Sequence, residues 1–369
     1  MKILFIYIAN NIHLLRRAQA LHEMGHDIFY LGFYPKDSDI DLANFKFIKF
    51  INIHPIIKGK LTVLDFVANF LRVRNIIKSE AIDIIHIQSP IYFLSILTSK
   101  FNLVIENMGS DVLKLPRYNL LRRLLFYFAF KSANAVIQDS FISKKAAIKL
   151  GANSKKSYVI DIGVETNEFL LHESEELIRK QLLLSQDCRV ILSIRSMLPN
   201  SNIELILHSL DFLDLKKTII LFLTYPSYPS LRNLLAEYKQ KYPDNIKVLG
   251  YVDNKTELPK ILKISDIVLS VPHSDSSPLS VLEAMGAEVP VIVQKHNWYK
   301  GKFIEGKHLL ACDNNPAHLA ERIEFIFKNN IDFSKLALKR VHQRYSRNQN
   351  HLRLQKLYSN ICNNLEWKK

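Results

Sequence analysis

The sequence predicts an α/β protein built from two doubly wound domains. Three observations predict it. A short apolar, β-branched run, Ile3–Ile8, is followed by a helical pattern and a second strand; the same alternation restarts near residue 189; and a turn glycine, Gly163, separates the two series. With 369 residues the chain can bury two separate cores.

The elements follow in order. Residues 3–8 read as a strand buried on both faces. After Asn10-Asn11, Leu14, Leu15, Ala18, Leu21 and Met24 recur at helical spacing, Gly25 ends the helix, and Asp27–Leu31 is the next strand. Further strands are expected at Ile84–Ile87, Leu103–Glu106, Ala135–Ile137 and Ser157–Ile160. The second series opens with Arg189–Ile194 and a loop holding Pro199. A helix with apolar Ile203, Leu205, Ile206 and Leu210 comes next, which Asn202 can cap. Strands then recur at Thr218–Leu223, Lys247–Leu249, Ile267–Leu269 and Pro290–Val293. The expected boundaries are 1–162, 163–340, and a basic helical segment, 341–369, packing back on the N-terminal domain. Ligands of such sheets sit at the carboxyl ends of the strands, so a cleft between facing domains is the expected site.

Composition narrows the function. Hydrophobic residues at 48% and charged residues at 23% exclude a disordered chain. None of the ten glycines stands as Gly-x-Gly, which excludes the dinucleotide fingerprint and the kinase glycine loop. Cys188, Cys312 and Cys362 form no Cys-x-x-Cys pair, so a reducing compartment is expected. Residues 1–9 lead into Asn10-Asn11 and Arg16-Arg17 without a small-residue cleavage site. The longest charge-free apolar stretch, Ile84–Ser99, contains His86, Gln88 and Pro90 and is shorter than the ~20 residues of a spanning helix. A cytoplasmic chain without a membrane span is expected. The net charge is +15, with a basic surplus of 9 over residues 1–165 and 6 over 166–369. It implies an anionic partner: nucleic acid, a phospholipid surface or a phosphorylated small molecule.

The segment Pro272–Met285 carries the most chemistry. A strand precedes it, Ser274–Ser277 is a polar turn, Ser277 is the expected N-cap, Pro278 suits the first helical position, and Leu279, Leu282 and Met285 share an apolar face. A helix N-terminus at the carboxyl end of a strand is an anion site. Glu283 lies roughly 9 Å beyond Ser277 along the axis, where a carboxylate can accept hydrogen bonds from both hydroxyls of a ribose. The same residues also fit a surface helix with a solvated glutamate.

The run Ser277–Ile292, with Asp275 seven residues before Glu283-Ala284-Met285, resembles the signature of retaining GT-B glycosyltransferases of family 4, the group 1 family. Ile191–Glu204 is similar to that family's strand-Arg-loop segment, Val248–Val252 to its base-pocket turn, Gly109–Val112 to a motif of the N-terminal domain, and Ile162–Glu165 to the start of the second domain. The resemblance implies two Rossmann-like domains facing across a cleft. It implies Arg195 at the donor diphosphate and Asp275 at the donor sugar as the catalytic pair. Glu283, Ser277, Leu279, Gly250 and Tyr251 would hold the nucleotide. On the acceptor side are Asp111 and, from its place after the first strand, His13. The sequence departs from the family pattern at Asp275, where Glu is usual, at Asn200 and Ser201, where a Lys often stands, at Met108 for a His, and at Glu288 and Val289, where a Gly is expected before Pro290.

Several matches read as decoys. Gly301–His308 has Walker-type spacing, but His308 stands where Ser or Thr would bind magnesium, so a turn is expected. Asp37-Ser38-Asp39-Ile40-Asp41 reads as a solvated loop, His86 as a structural residue, and no metal site or cofactor is expected. Arg117–Lys131 is a basic, aromatic-rich helix. Its stripe of Leu120, Leu121, Leu124, Leu125 and Phe128, with Phe126 and Phe130 off it, fits a core-facing helix or an anionic membrane surface.

The expected function is sugar transfer, with retention, from a nucleotide sugar to a lipid-linked or glycan acceptor in polysaccharide or glycolipid assembly. A UDP-sugar is favoured over a GDP-sugar, and peripheral attachment to the inner membrane face is expected. The alternatives are a GT-B-fold epimerase or phosphorylase, a non-catalytic homologue, and a basic nucleic-acid-binding protein, for which no motif is present.

Overall fold

The structure, a computed structural model, describes residues 1–7, 12–32, 49–52, 71, 73–88, 101–114, 120–329 and 332–366. The chain divides into two compact units. Unit 1 comprises Met1–Ile162 with Asn348–Lys369, and unit 2 is Gly163–Arg347. Unit 2 therefore runs on to Arg347 rather than ending at 340.

Unit 1 contains β1 (Lys2–Tyr7), α1 (Ile12–Glu23), β2 (Asp27–Gly32), β3 (Lys49–Asn52), β4 (Ile84–Gln88), β5 (Leu103–Asn107), α2 (Ser110–Leu113), α3 (Leu120–Ser132), β6 (Ala135–Gln138), α4 (Phe141–Lys149) and β7 (Ser157–Val159). Its sheet is parallel, in the order β3-β2-β1-β4-β5-β6-β7. Both faces are covered, which is why the central strands read as unbroken apolar runs. Helical residues 73–79, α3 and α4 pack on one face through Val73, Ile77, Phe126, Phe130 and Ala147. α1 and a C-terminal helix, described below, cover the other face. α1 stops at a Schellman turn: Gly25 takes φ +85°, His26 N–H donates to Leu21 O at 3.1 Å and Gly25 N–H to His22 O at 2.8 Å.

Unit 2 contains α5 (Glu175–Gln181), β8 (Arg189–Ser193), α6 (Ile203–Ser209), β9 (Thr218–Leu223), α7 (Pro229–Lys241), β10 (Ile246–Leu249), α8 (Leu258–Lys263), β11 (Ile267–Ser270), α9 (Leu279–Gly286), β12 (Val291–Gln294), β13 (Leu310–Cys312), α10 (Pro316–Asn329) and α11 (Ser334–Arg344). Its parallel sheet has the order β10-β9-β8-β11-β12-β13. The edge strands β3 and β13 are additions to the sequence reading.

The last helix, α12 (Arg347–Glu366), contributes Leu354, Leu357, Tyr358 and Ile361 to the core of unit 1. Each such fully buried side chain contributes about 1.5–3 kcal/mol. A buried polar network ties it down. Glu106 on β5 pairs with Arg17 Nη2 and His86 Nε2, each at 2.9 Å; His86 Nδ1 lies 2.5 Å from the Tyr358 hydroxyl; and Arg17 Nη2 donates to Ile160 O at 3.0 Å. Burial pushes the Glu106 carboxyl up, but the Arg17 guanidinium and His86 pull it below its ordinary value. His86 is thus a structural residue.

The core-facing reading of the α3 stripe and the Asn202 cap are corrected, and the turn expected at Gly301–His308 is borne out. The Leu120–Leu121–Leu124–Phe128 stripe of α3 is exposed, and Phe126, Ala129 and Phe130 face the sheet instead. Asn202 sits at the N-cap of α6 with φ 56°, but its side chain makes no cap bond and donates to Asn314 Oδ1 at 2.9 Å. Gly301–His308 forms turns around the buried Phe303, with Gly301 and Gly306 at φ +77° and +76°. Residues 37–41, 89–100 and 115–119, which hold the Asp-x-Asp runs, part of the Ile84–Ser99 stretch and Arg117, lie outside the described residues. Among the described residues no helix is long and apolar enough to cross a membrane.

Candidate active site

The order of unit 2's sheet reverses between β8 and β11, which are hydrogen-bonded neighbours with Ile267 opposite Ile191. Loops leaving adjacent strands in opposite directions open a crevice at such a switch point. Arg195 lies in the loop after β8 and Asp275 in the loop after β11, so residues 80 apart in sequence meet. Arg195 Nη1 donates to Asp275 Oδ2 at 2.8 Å, with the two side chains 22% and 12% exposed. Asp275 Oδ1 accepts the Ser276 N–H at 2.7 Å.

Asn200 joins the two loops. Its carbonyl accepts the His273 N–H at 2.9 Å and its Nδ2 donates to Ser274 O at 2.9 Å. The position where the resembling family often carries a lysine thus holds a loop clasp, and Arg195 is left facing Asp275 in a charge-balanced pair. From β12 two more groups brace the same loop. Gln294, with its amide oriented to satisfy both partners, donates to Val271 O at 2.9 Å and Pro272 O at 2.7 Å, and His296 Nε2 lies 2.7 Å from Pro272 O. The sequence reading missed Gln294 and His296; their place at a strand's carboxyl end was the available signal.

α9 begins one residue later than expected. Pro278, not Ser277, occupies the N-cap: its φ −68° and ψ 110° are extended, and its carbonyl accepts the Val281 and Leu282 N–H groups at 3.1 and 3.3 Å. The pyrrolidine ring cannot cap by side chain, so the first-turn N–H groups of α9 get no side-chain bond from its cap residue. Ser277 directly precedes the cap, and Leu279 is the first helical residue. Glu283 lies one turn further, 8% exposed, on a helix buried from Val281 to Gly286. Gly286 is close-packed, a Cβ there coming within 3.1 Å of the Phe169 ring. At Glu288, where the resembling family has glycine, the backbone takes φ 59°, so a conformation glycine adopts freely is held here by a glutamate.

The base-pocket candidates Gly250 and Tyr251 follow β10. Tyr251 is exposed, and Tyr225, after the neighbouring strand β9, stands edge-on to it with ring centroids 5.6 Å apart. Along the carboxyl edge the order is therefore two tyrosine rings, Arg195, then Asp275 and the α9 N-terminus. In unit 1, Asp111 is buried and turned onto its own backbone: Oδ2 accepts the Met108 N–H at 3.1 Å and Oδ1 the Val112 N–H at 3.0 Å. His13 lies in the first turn of α1, its side chain outside the described residues. Among the described residues no three His, Cys, Asp or Glu side chains cluster as metal ligands. The unit 2 arrangement can bind an anion at Arg195 and α9 and a polyhydroxyl group at the two carboxylates.

The family described as Glycosyl transferases group 1 matches residues 174–349, nearly all of unit 2, and that described as Glycosyl transferase 4-like matches residues 2–140. No curated protein matches the sequence. A glycosyltransferase of Rickettsia africae is similar in structure, with TM-score 0.82 and 18% identity over 98% of each chain. Anabaena Alr3699/HepE in complex with UDP and glucose has TM-score 0.80 and 16% identity over 98% of this chain and 100% of its own. Sucrose-phosphate synthase of Thermosynechococcus elongatus has TM-score 0.80 and 15% identity over 98% and 99%.

Proposed function

The chain is a glycosyltransferase of group 1 with the GT-B fold, and from that premise we propose that it is a retaining, family 4 enzyme moving a sugar from a nucleotide-sugar donor to a lipid-linked or glycan acceptor. The observation that carries this reading is the meeting of Arg195, Asp275 and the α9 N-terminus at the switch point of unit 2. The UDP and glucose held by the Anabaena structure support a UDP-sugar over a GDP-sugar.

Cleavage of the sugar–diphosphate bond builds negative charge on the diphosphate and oxocarbenium character on the sugar. Arg195 and the first turn of α9 would meet the former, preorganised and partly out of water. Asp275 would orient the sugar, Glu283 the ribose, and Gly250 with Tyr251 the base. Ser277 and Leu279 frame the anion site from either side of Pro278. The acceptor side is assigned to His13 and to the turn that Asp111 shapes. The leaving charge is met by protein groups, so the reaction needs no metal. We place it in polysaccharide or glycolipid assembly at the cytoplasmic side, with the chain peripheral on the inner membrane face.

The test is incubation with UDP-glucose or GDP-mannose, with and without a lipid-linked acceptor, followed by NMR of the anomeric centre. An α-linked product from an α-linked donor is expected. Inversion removes the retaining assignment. Epimerised donor in the absence of acceptor favours an epimerase, and DNA binding without nucleotide binding removes the transfer reading.

A further inference from the structure

The loops that leave β8, β9 and β10 carry Arg195, Tyr225 and Tyr251, each two residues past the end of its strand. The three strands are consecutive in the parallel sheet of unit 2, so these residues stand in a row along its carboxyl edge. Neighbouring strands lie about 4.8 Å apart, which puts the ends of β8 and β10 roughly 10 Å from each other. One extended nucleoside diphosphate reaches from Arg195 to both rings.

Two features near the end of β10 have no account in the packing of the protein itself. The Tyr225 and Tyr251 rings are 46% and 61% exposed. They meet at 78° with centroids 5.6 Å apart, and so form an exposed corner rather than a buried stack. Gly250 is the second feature. It is exposed, its φ lies outside the left-handed region, and a Cβ there would meet no atom within 4 Å beyond its chain neighbours. Neither backbone conformation nor protein packing therefore requires glycine at this position. A flat ring laid against the backbone does. A nucleobase has such a ring, and its π-face is what an aromatic side chain takes.

The loop that carries Tyr225 is tied at both ends. Thr224 donates to Leu249 O through its N–H at 3.0 Å and through its hydroxyl at 2.9 Å, which fixes the loop to the end of β10. Tyr228 N–H donates to Met197 O at 2.8 Å, which fixes it to the loop that carries Arg195.

We propose that Tyr225 is a second base-contacting residue: with Tyr251 and the bare backbone of Gly250 it makes a corner that takes the nucleobase of the donor, at a distance from Arg195 set by the loop between them. This rests on the nucleotide-sugar reading above and adds to it. The family resemblance supplied Gly250 and Tyr251; Tyr225 comes from the geometry alone.

The test is calorimetric titration of the full chain, and of Tyr225→Ala, Tyr225→Phe and Arg195→Ala, with UDP, GDP, UDP-glucose and inorganic pyrophosphate. Tyr225 is exposed, so each of its variants should keep the parent's urea midpoint. Losing an aromatic contact to a base weakens binding by about five- to a hundred-fold. Tyr225→Ala should show that loss with whichever of UDP and GDP the parent binds more tightly and none with pyrophosphate, while Tyr225→Phe binds as the parent does. Arg195→Ala should weaken nucleotide and pyrophosphate alike. Parent-like nucleotide affinity in Tyr225→Ala overturns the proposal. So does an equal loss with pyrophosphate, which would make the ring a support for the Arg195 loop, and so does a loss confined to UDP-glucose, which would give the ring to the sugar. A parent that binds neither nucleotide fails the proposal and the transfer reading together. A chain that needs Tyr225 for the nucleotide but transfers no sugar fails only the transfer reading, and one that transfers sugar with parent-like nucleotide affinity in Tyr225→Ala fails only this proposal.

Discussion

Replacing Asp275 by asparagine separates two duties of one carboxylate, holding Arg195 and addressing a sugar. Its Oδ2 lies 2.8 Å from Arg195 Nη1, with both side chains mostly covered. A hydrogen bond to a charged group contributes about 1.5–3 kcal/mol and a neutral one about 0.5–1.5 kcal/mol. Partial solvent screening reduces the difference to about 1 kcal/mol. The variant should fold, with a thermal midpoint lowered by no more than about 2–4 °C. Arg195 then lacks its counter-charge, so an incoming diphosphate no longer competes for it. Affinity for free UDP should hold or rise by up to about five-fold, while turnover of the nucleotide sugar falls. Arg195→Ala should do the opposite to binding, losing about ten- to a hundred-fold. Calorimetry with UDP beside a donor-turnover assay decides. A tenfold or larger loss of UDP affinity in Asp275→Asn, at an unchanged midpoint, would refute the reasoning, because the carboxylate would then be required to hold the nucleotide.

Glu283→Ala should weaken free UDP and the nucleotide sugar alike, by about ten- to a hundred-fold; equal UDP affinity in parent and variant removes the ribose assignment. Turnover should persist in EDTA, and loss that magnesium or manganese restores would contradict a metal-independent reaction. Glu106 is held below its ordinary value in the folded state, so it stabilises unit 1 at pH above about 4.3 and loses that contribution as pH falls toward its depressed value. Urea midpoints from pH 7 downward should therefore fall less steeply in Glu106→Gln than in the parent, and equal slopes would show that the network carries no linkage.

Parallel strands covered on both faces leave an unbroken apolar run in sequence, which is why β1, β8, β9 and β11 were readable to within a residue or two. β3 and β13 were not: each is a short edge strand, β13 of three residues. α3 shows the limit of periodicity. Leu120 to Phe128 and Phe126 to Phe130 both recur at helical spacing, and only the sheet beneath decides which set it buries. At the site, Glu283 stood out through its place on a helix that follows a strand and a polar turn, whereas Arg195 and Asp275 came only from the resemblance to the group 1 signature. The Asn200 clasp came from neither, because its partner Ser274 lies 74 residues away. The displaced glycine before Pro290 became intelligible only with the left-handed backbone at Glu288.

The division of unit 1 between the two ends of the chain bears on how the protein is made. Met1–Ile162 leaves the ribosome first, yet one face of its sheet waits for Leu354, Tyr358 and Ile361. Some 200 residues must still be added, which at roughly 5–20 residues per second takes about 10–40 s. Throughout that interval Arg17 and Glu106 lack Tyr358 and its helix as cover, while unit 2, contiguous in sequence, can complete its own core. Unit 1, begun before unit 2, is thus completed after it, and the nascent chain carries an open apolar face for as long as unit 2 is being made.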